Sequence, residues 1–232
     1  MTVIDARVRR GMQVQLDARR HRISAGERPL GWKVGFGAPA AMSALDIDQP
    51  LIGYLLHSGI MVSGTELSYS EFTQPAIEPE IAVYLGEDLA DGSDTATIEA
   101  AISGLGPAIE IADVSFTPTA GVERILEGNI YQRGVVLGAV DERRAGARLK
   151  NLTATIHFNG VDVETPDDLE SNTGRLLDVV AVVADTLAAM GERLRAGELI
   201  IVGSIVPPFI LDDAATVEYS LGDAEPISIK VV

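Results

Sequence analysis

The run Ile77-Glu-Pro-Glu-Ile-Ala-Val83 sets two carboxylates two residues apart inside an otherwise apolar, strand-like stretch. Side chains at i and i+2 of a strand share a face, so Glu78 and Glu80 project together. Burying both ionised carboxylates without a partner costs roughly several kcal/mol each. A second run, Pro107-Ala-Ile-Glu-Ile-Ala-Asp113, repeats the oddity with Glu110 between isoleucines. Two arrangements accommodate these acids. One is a solvent-facing strand edge, which Pro79 suits because it cannot donate to a ladder, as it would also suit a bulge. The other is a divalent cation held by Glu78, Glu80 and Glu110. Three hard oxygen donors with room for water suit Mg²⁺ or Mn²⁺.

Charge and composition narrow the partners. The formal net charge of −16 argues against a nucleic-acid backbone or an anionic membrane surface. It leaves a small anionic ligand open, because a metal or a local cation reverses the field at a site. With no cysteine there is no disulfide, no thiolate zinc site and no thiol nucleophile. The N-terminal Met1 to Arg7 lacks the apolar core of a signal peptide. The longest apolar stretch, Leu199 to Leu211, is broken by Gly203, Ser204, Pro207 and Pro208 and is too short for a membrane span. The expectation is a soluble, cytoplasmic protein with no membrane partner.

Along the chain, Asp5 to Ala25 predicts a helix with Val8, Met12 and Leu16 on one side. Its arginines (Arg9, Arg10, Arg19, Arg20, Arg22) read as a solvated face or an inter-subunit ion-pair surface. Gly31 to Gly37 predicts a short strand carrying Lys33, the only lysine before Lys150. A lysine in an arginine-rich chain suits a place where the proton can be lost; a snorkelling surface lysine is the alternative. Pro39 to Leu45 predicts a short helix, Leu51 to Leu56 a strand, and Gly59 to Ser70 two short strands joined at Ser63-Gly64. Further helices are expected at Thr95 to Ser103, with Asp94 as its cap, and at Thr119 to Leu126. A turn at Gly128-Asn129 leads to a strand from Tyr131 to Leu137. Leu152 to Val163 is a hairpin about Asn159-Gly160. Asn172 to Met190 predicts the longest apolar-faced helix after the first, stopped by Gly191. Strands at Leu199 to Val202, Ala215 to Tyr219 and Ile227 to Val231 complete an α+β, β-rich class. His57, beside a turn, reads as a surface residue.

Taken together, Gly31-Trp-Lys-Val-Gly35, the run Ile77 to Gly86, the run Pro107 to Asp113, and Gly197-Glu-Leu-Ile-Ile-Val-Gly-Ser204 resemble a known family. They are similar to the 2-keto-4-pentenoate hydratase and 4-oxalocrotonate decarboxylase branch of the fumarylacetoacetate hydrolase superfamily, in the expected order from about Ala6 onward. The resemblance implies a mixed β-sandwich roll with flanking helices, an N-terminal helical segment over 1–30, a catalytic domain over 31–232, and a homo-oligomer, with a related subunit as a further partner. It implies that Glu78, Glu80 and Glu110 bind the metal, that Lys33 is catalytic and contacts substrate, and that Asn129 and Ser204 contact substrate. The chain starts later than typical members.

The implied chemistry begins with a small 2-oxo acid, whose ketone and carboxylate oxygens chelate one metal ion. The ion acts as a Lewis acid and stabilises an enolate, and Lys33 binds the carboxylate or moves a proton. Three departures stand out. Pro50-Leu51-Ile52-Gly53 lacks the acid that hydratases carry after the proline. Asn129 is followed by bulky residues as far as Arg133. Ile205-Val-Pro-Pro208 follows Gly203-Ser204. The expected activity is a hydratase in aromatic-compound catabolism. Decarboxylase and acylpyruvate hydrolase are the alternatives within the family, and a non-catalytic accessory subunit is the alternative outside it.

Overall fold

The computed structural model describes residues 4–232, so the first three residues of the expected 1–30 segment lie outside the described residues. Helix α1 (Ala6–Ser24) begins at Asp5, whose carboxylate accepts from the Arg7 N–H at 2.7 Å. It is followed by β1 (Pro29–Gly35), α2 (Pro39–Leu45) and β2 (Leu51–Leu56). Two short strands, β3 (Ile60–Met61) and β4 (Thr65–Leu67), precede the long β5 (Pro75–Leu85). Helix α3 (Thr95–Ala101) passes directly into β6 (Ile102–Asp113), and α4 (Val122–Glu127) precedes β7 (Gln132–Leu137). The hairpin β8 (Ala154–Phe158) and β9 (Val161–Val163) leads to α5 (Leu176–Ala189). Strands β10 (Leu199–Ser204), β11 (Phe209–Ile210), β12 (Ala215–Leu221) and β13 (Ile227–Val231) complete the described chain.

The strands form two mixed sheets, in agreement with the expected β-rich α+β roll. The larger has the order β2-β1-β10-β5-β6-β7-β3, with β11 added beside β5; the smaller runs β4-β13-β12-β8-β9. Most pairs are antiparallel, while β1 with β10, β3 with β7, and β4 with β13 are parallel. Strands β3 and β4 therefore do not pair with one another. The chain crosses from one sheet to the other at the Ser63-Gly64 turn, where Gly64 has a φ of 85°.

Alternation along the strands divides the larger sheet into two faces. One carries Trp32, Val34, Ile77, Ile81, Val83, Ile109 and Ile111, and these join the main core with Met12 and Leu16 of α1, Val180 and Leu187 of α5, and Val217 and Tyr219 of the second sheet. The other face carries a smaller apolar cluster that includes Leu55, Ala82, Ala108, Val135 and Ile201. Lys33, Glu78, Glu80 and Glu110 belong to this second face, as the pairs Lys33 with Ile201, Glu80 with Ala108, and Glu110 with Val135 require.

Several expectations change in the folded chain. Strand β5 is interior, between β10 and β6, so Pro79 is not on an edge. The β10 ladder shifts register between Ile201 and Ser204, and this bulge lies where Pro79 has no N–H to give. Arg19 is not on the solvated face of α1. It is buried over the Trp32 ring at 4.5 Å, with Glu198 at 3.6 Å and Glu192 at 3.4 Å. Other α1 arginines pair within the chain, Arg10 with Glu123 and Arg20 with Glu192. The helix expected from Asn172 starts at Leu176, whose N–H is taken by the Glu170 carboxylate at 2.6 Å, after Gly174 with a φ of 87°. The Thr119 to Leu126 helix is cut at Gly121, with a φ of 99°. Among the described residues no helix is long and apolar enough to cross a membrane.

The parallel β1–β10 pair carries the site, and Gly31 permits it. A Cβ at Gly31 would lie 1.9 Å from the Leu199 carbonyl oxygen. Gly31→Ala is expected to destabilise the protein by at least ~3 kcal/mol, or to abolish soluble expression, since backbone cannot yield as a side chain can. Urea denaturation beside the unmodified protein measures this, and an unchanged midpoint would contradict the close approach.

Candidate active site

A cavity of about 310 Å³ opens on the second face of the larger sheet. Lys33 of β1, Glu78 of β5, Glu110 of β6, and Gly203 and Ser204 of β10 all border it. Four strands of the larger sheet thus converge on one cavity. Glu80 is fully buried beneath this wall and does not border the cavity itself.

The register explains the geometry. Glu78 lies directly opposite Glu110 across the β5–β6 pair, and Glu80 lies one alternation further along the same face. Opposed like charges on neighbouring strands repel. Lys33 answers this: its Nζ forms a buried ion pair with the Glu110 carboxylate and donates to the Ile130 carbonyl at 2.9 Å. Glu80 Oε2 accepts from the Gly203 N–H at 2.6 Å, while its Oε1 is buried with no hydrogen-bond partner. Gly203 has a φ of 97°, a conformation suited to glycine, and so presents its N–H to that carboxylate.

Burial first, then the charge of Glu110, raises the Glu78 carboxyl to about 7 against the pull of Lys33. Glu80 is pushed well above the ordinary carboxylate range, by burial first and then by Glu110 and Glu78. Two buried carboxylates and the half-buried Glu78, with one lysine and one orphan oxygen, are short of positive charge. The donors are hard oxygens, the set a divalent cation prefers. As the side chains stand, no three acidic or imidazole groups among the described residues already converge to hold an ion. Glu110 is turned to Lys33, and Glu80 to Gly203.

Ser204 is buried at the cavity wall, where its hydroxyl donates to the Pro79 carbonyl at 3.4 Å and its own carbonyl accepts from Asn172 Nδ2 at 2.7 Å. Asn129, expected at the substrate, is not brought to the cavity. Its Oδ1 accepts from the Tyr54 N–H and its Nδ2 donates to the Tyr54 carbonyl, both at 2.9 Å, which closes the outer edge of β2. Its role is nevertheless connected to the site. Asn129, Ile130 and Tyr131 form a turn with φ of 50°, 51° and 63°. This left-handed run is costly for side chains with a branched Cβ, and it aims the Ile130 carbonyl at Lys33. Neither His57 nor Arg133 borders the cavity; the Arg133 guanidinium lies 5.4 Å from the Phe72 ring centre. Leu51, at the position of the missing acid, is fully buried in the main core.

The sequence reading missed the Gly203 N–H and the Ile130 carbonyl. The glycine was visible as a turn signal, whereas a backbone carbonyl leaves no trace in residue types. It also missed Phe36, Tyr131 and Thr173 in the wall.

A cavity with charged groups at its floor, on one face of a two-sheet roll, defines a small-molecule site of the kind enzymes build. The chain belongs to the fumarylacetoacetate hydrolase family: residues 33–232 match the profile described as fumarylacetoacetate (FAA) hydrolase, C-terminal. A 4-oxalocrotonate decarboxylase from Pseudomonas sp. is 28% identical over 198 residues, which cover 85% of this chain and 76% of that one. A 2-keto-4-pentenoate hydratase from Burkholderia vietnamiensis is 29% identical over 199 residues, 82% of this chain and 73% of that one. Among solved structures, 4-oxalocrotonate decarboxylase from Pseudomonas putida G7, complexed with magnesium and adipate, superposes with a TM-score of 0.85 at 23% identity. That alignment covers 96% of this chain and 85% of that one, and it shows a shared fold.

The raised Glu78 carboxyl links pH to stability. Its folded value of about 7 lies above the ordinary 4.5, so the folded state holds the proton more tightly. The stabilisation is fully present below about pH 4.5 and is lost as pH rises through about 7. In the presence of a chelator, Tm is expected to fall between about pH 5 and 8, and to fall less in Glu78→Gln. Equal slopes in the two proteins would place Glu78 in water.

Proposed function

We propose that this protein is a divalent-metal-dependent lyase acting on a small 2-oxo or 2-hydroxydienoic acid, with hydration as its reaction. The observation that carries this reading is the grouping of Glu78, Glu80 and Glu110 with Lys33 on one sheet face, where all but Glu80 border a cavity. Its support is membership of the family and likeness to both hydratases and decarboxylases.

Glu78, Glu80 and Glu110 are the residues that would hold Mg²⁺ or Mn²⁺. When bound, the ion supplies Lewis acidity toward the ketone oxygen of a 2-oxo acid. Lys33 Nζ, fixed between Glu110 and the Ile130 carbonyl, orients the anionic head and is the group placed to exchange a proton with it. The Ser204 hydroxyl, with only a long bond to Pro79, is free to turn to the substrate carboxylate. Apolar walls keep bulk water from the head group and strengthen each of these interactions. Decarboxylation is the second reading, favoured by Leu51, which leaves no acid at the position where hydratases carry one. A cytoplasmic homo-oligomer belongs to the same proposal, and size-exclusion chromatography with light scattering tests the assembly.

The decisive experiment adds Mg²⁺ and follows water addition to 2-hydroxypenta-2,4-dienoate separately from CO₂ release by 2-oxo-3-hexenedioate. Water addition is the expected result. Carbon dioxide without hydration would move the assignment to decarboxylase, and silence on both would end the lyase reading. Glu80→Gln should remain folded while losing saturable Mg²⁺ binding by calorimetry. Lys33→Met should retain Mg²⁺ and lose about 10²-fold or more in kcat; wild-type kinetics in that variant would remove Lys33 from the chemistry.

A further inference from the structure

We infer that the cavity selects a 2-oxo acid with a single carboxylate and an uncharged hydrocarbon tail; this rests on the 2-oxo acid reading above. The sheet gives the cavity a direction. Outward from the opposed Glu78 and Glu110, the next pair on the same face is Ala76 with Ala112, about 7 Å along the strands. Both alanines border the cavity, and their small side chains leave its width open. Ile210 of β11 sits beside Ala76 in the ladder and continues the wall outward. The charged groups are thus gathered at one end, and a ligand whose head is held there must extend its tail over the alanines.

The walls that receive the tail are apolar. Phe36, Ala38, Val114, Pro118, Tyr131 and Ile210 border the cavity. The Tyr131 hydroxyl is itself buried and without a hydrogen-bond partner, so the ring rather than the oxygen faces the space. Among the described lining residues, Lys33 is the sole cationic side chain, and it stands beside Glu110 at the head end. Arg124 does not border the cavity; its guanidinium lies 5.0 Å from the Phe116 ring centre and 3.8 Å from Glu127, and Phe116 in turn packs on Tyr131. A second carboxylate at the far end of a substrate would be stripped of water with no counter-ion to meet it. An alkyl or alkenyl tail meets these apolar side chains there, since the uncharged polar lining residues Asn172 and Thr173 sit beside Ser204 and Gly203 at the head end. A pocket selects by what it leaves unpaired as much as by what it contacts.

The test compares 2-oxohexanoate with 2-oxohexanedioate, which share a chain length and differ by one distal carboxylate. Binding of each to the Mg²⁺-loaded protein is measured by calorimetry. The monocarboxylate is expected to bind at least about tenfold more tightly. Ile210→Lys places a cation at the tail end, at a residue 48% exposed and so tolerant of change. It should tighten the dicarboxylate by about tenfold and so remove or reverse the preference for the monocarboxylate. Equal or tighter binding of the dicarboxylate by the unmodified protein would overturn the inference, and that comparison decides the matter should the lysine variant fail to fold. Failure of both acids to bind would overturn the 2-oxo acid reading itself, and this inference with it.

Discussion

Placing Glu78 opposite Glu110 on adjacent strands, with Glu80 one alternation away, creates a concentration of negative charge inside a protein that has few ways to neutralise it. The surrounding architecture is arranged about that problem. Strand β1 brings Lys33 to Glu110, the β10 bulge turns the Gly203 N–H toward Glu80, and the turn after α4 supplies the Ile130 carbonyl that fixes the lysine. What these contacts leave unbalanced appears in the raised proton affinity of Glu78 and Glu80 and in the unpartnered Oε1 of Glu80. Buried groups of this kind weaken a fold unless something further occupies the site, and functional centres are where a protein tolerates the cost.

Backbone irregularity serves the same end. Pro79 in an interior strand would ordinarily break a ladder. Here the missing N–H coincides with the register shift of β10, and the Pro79 carbonyl still accepts from the Ile205 N–H at 2.9 Å. The bulge leaves Val202 and Gly203 outside the ladder, which resumes at Ser204 opposite Glu80, so that the Gly203 N–H faces Glu80 and Ser204 borders the cavity. The left-handed run Asn129 to Tyr131 is likewise held from outside the site, by the Asn129 amide clamped on Tyr54. The bulge lies between β1 and β5 and the turn between α4 and β7, so regular structure brackets both, which is how local strain can persist.

Much of this was legible in residue order. Period-two placement of Glu78 and Glu80 between isoleucines located the central strand, and the matching run around Glu110 located its neighbour. Lys33 between glycines marked a third strand. The Asn159-Gly160 turn and the apolar stripe of α5 were equally plain. Other features depended on tertiary context. Arg19 looked like one more surface arginine, because nothing local says that Trp32 and Glu198 will surround it. Asn129 was associated with substrate through its family position, yet the free edge of β2 claims its amide. The two short strands joined at Ser63-Gly64 are present as expected, but residue order does not say that their partners, β7 and β13, lie far away in the chain.

The insertion of β10 between β1 and β5 has a consequence for how the molecule is made. Lys33 and Glu80 sit in strands that do not touch each other; both depend on residues 199 to 204 lying between them. During translation, a nascent chain emerging from the ribosome presents the lysine and all three glutamates long before the strand that unites them has been synthesised. Until residue 204 has appeared, the acids remain hydrated on an incomplete sheet. The centre is therefore assembled late, by a contact of high sequence separation, and folding through it is bound to be slow relative to the local hairpins. Late closure spares the growing chain the burden of burying those charges early.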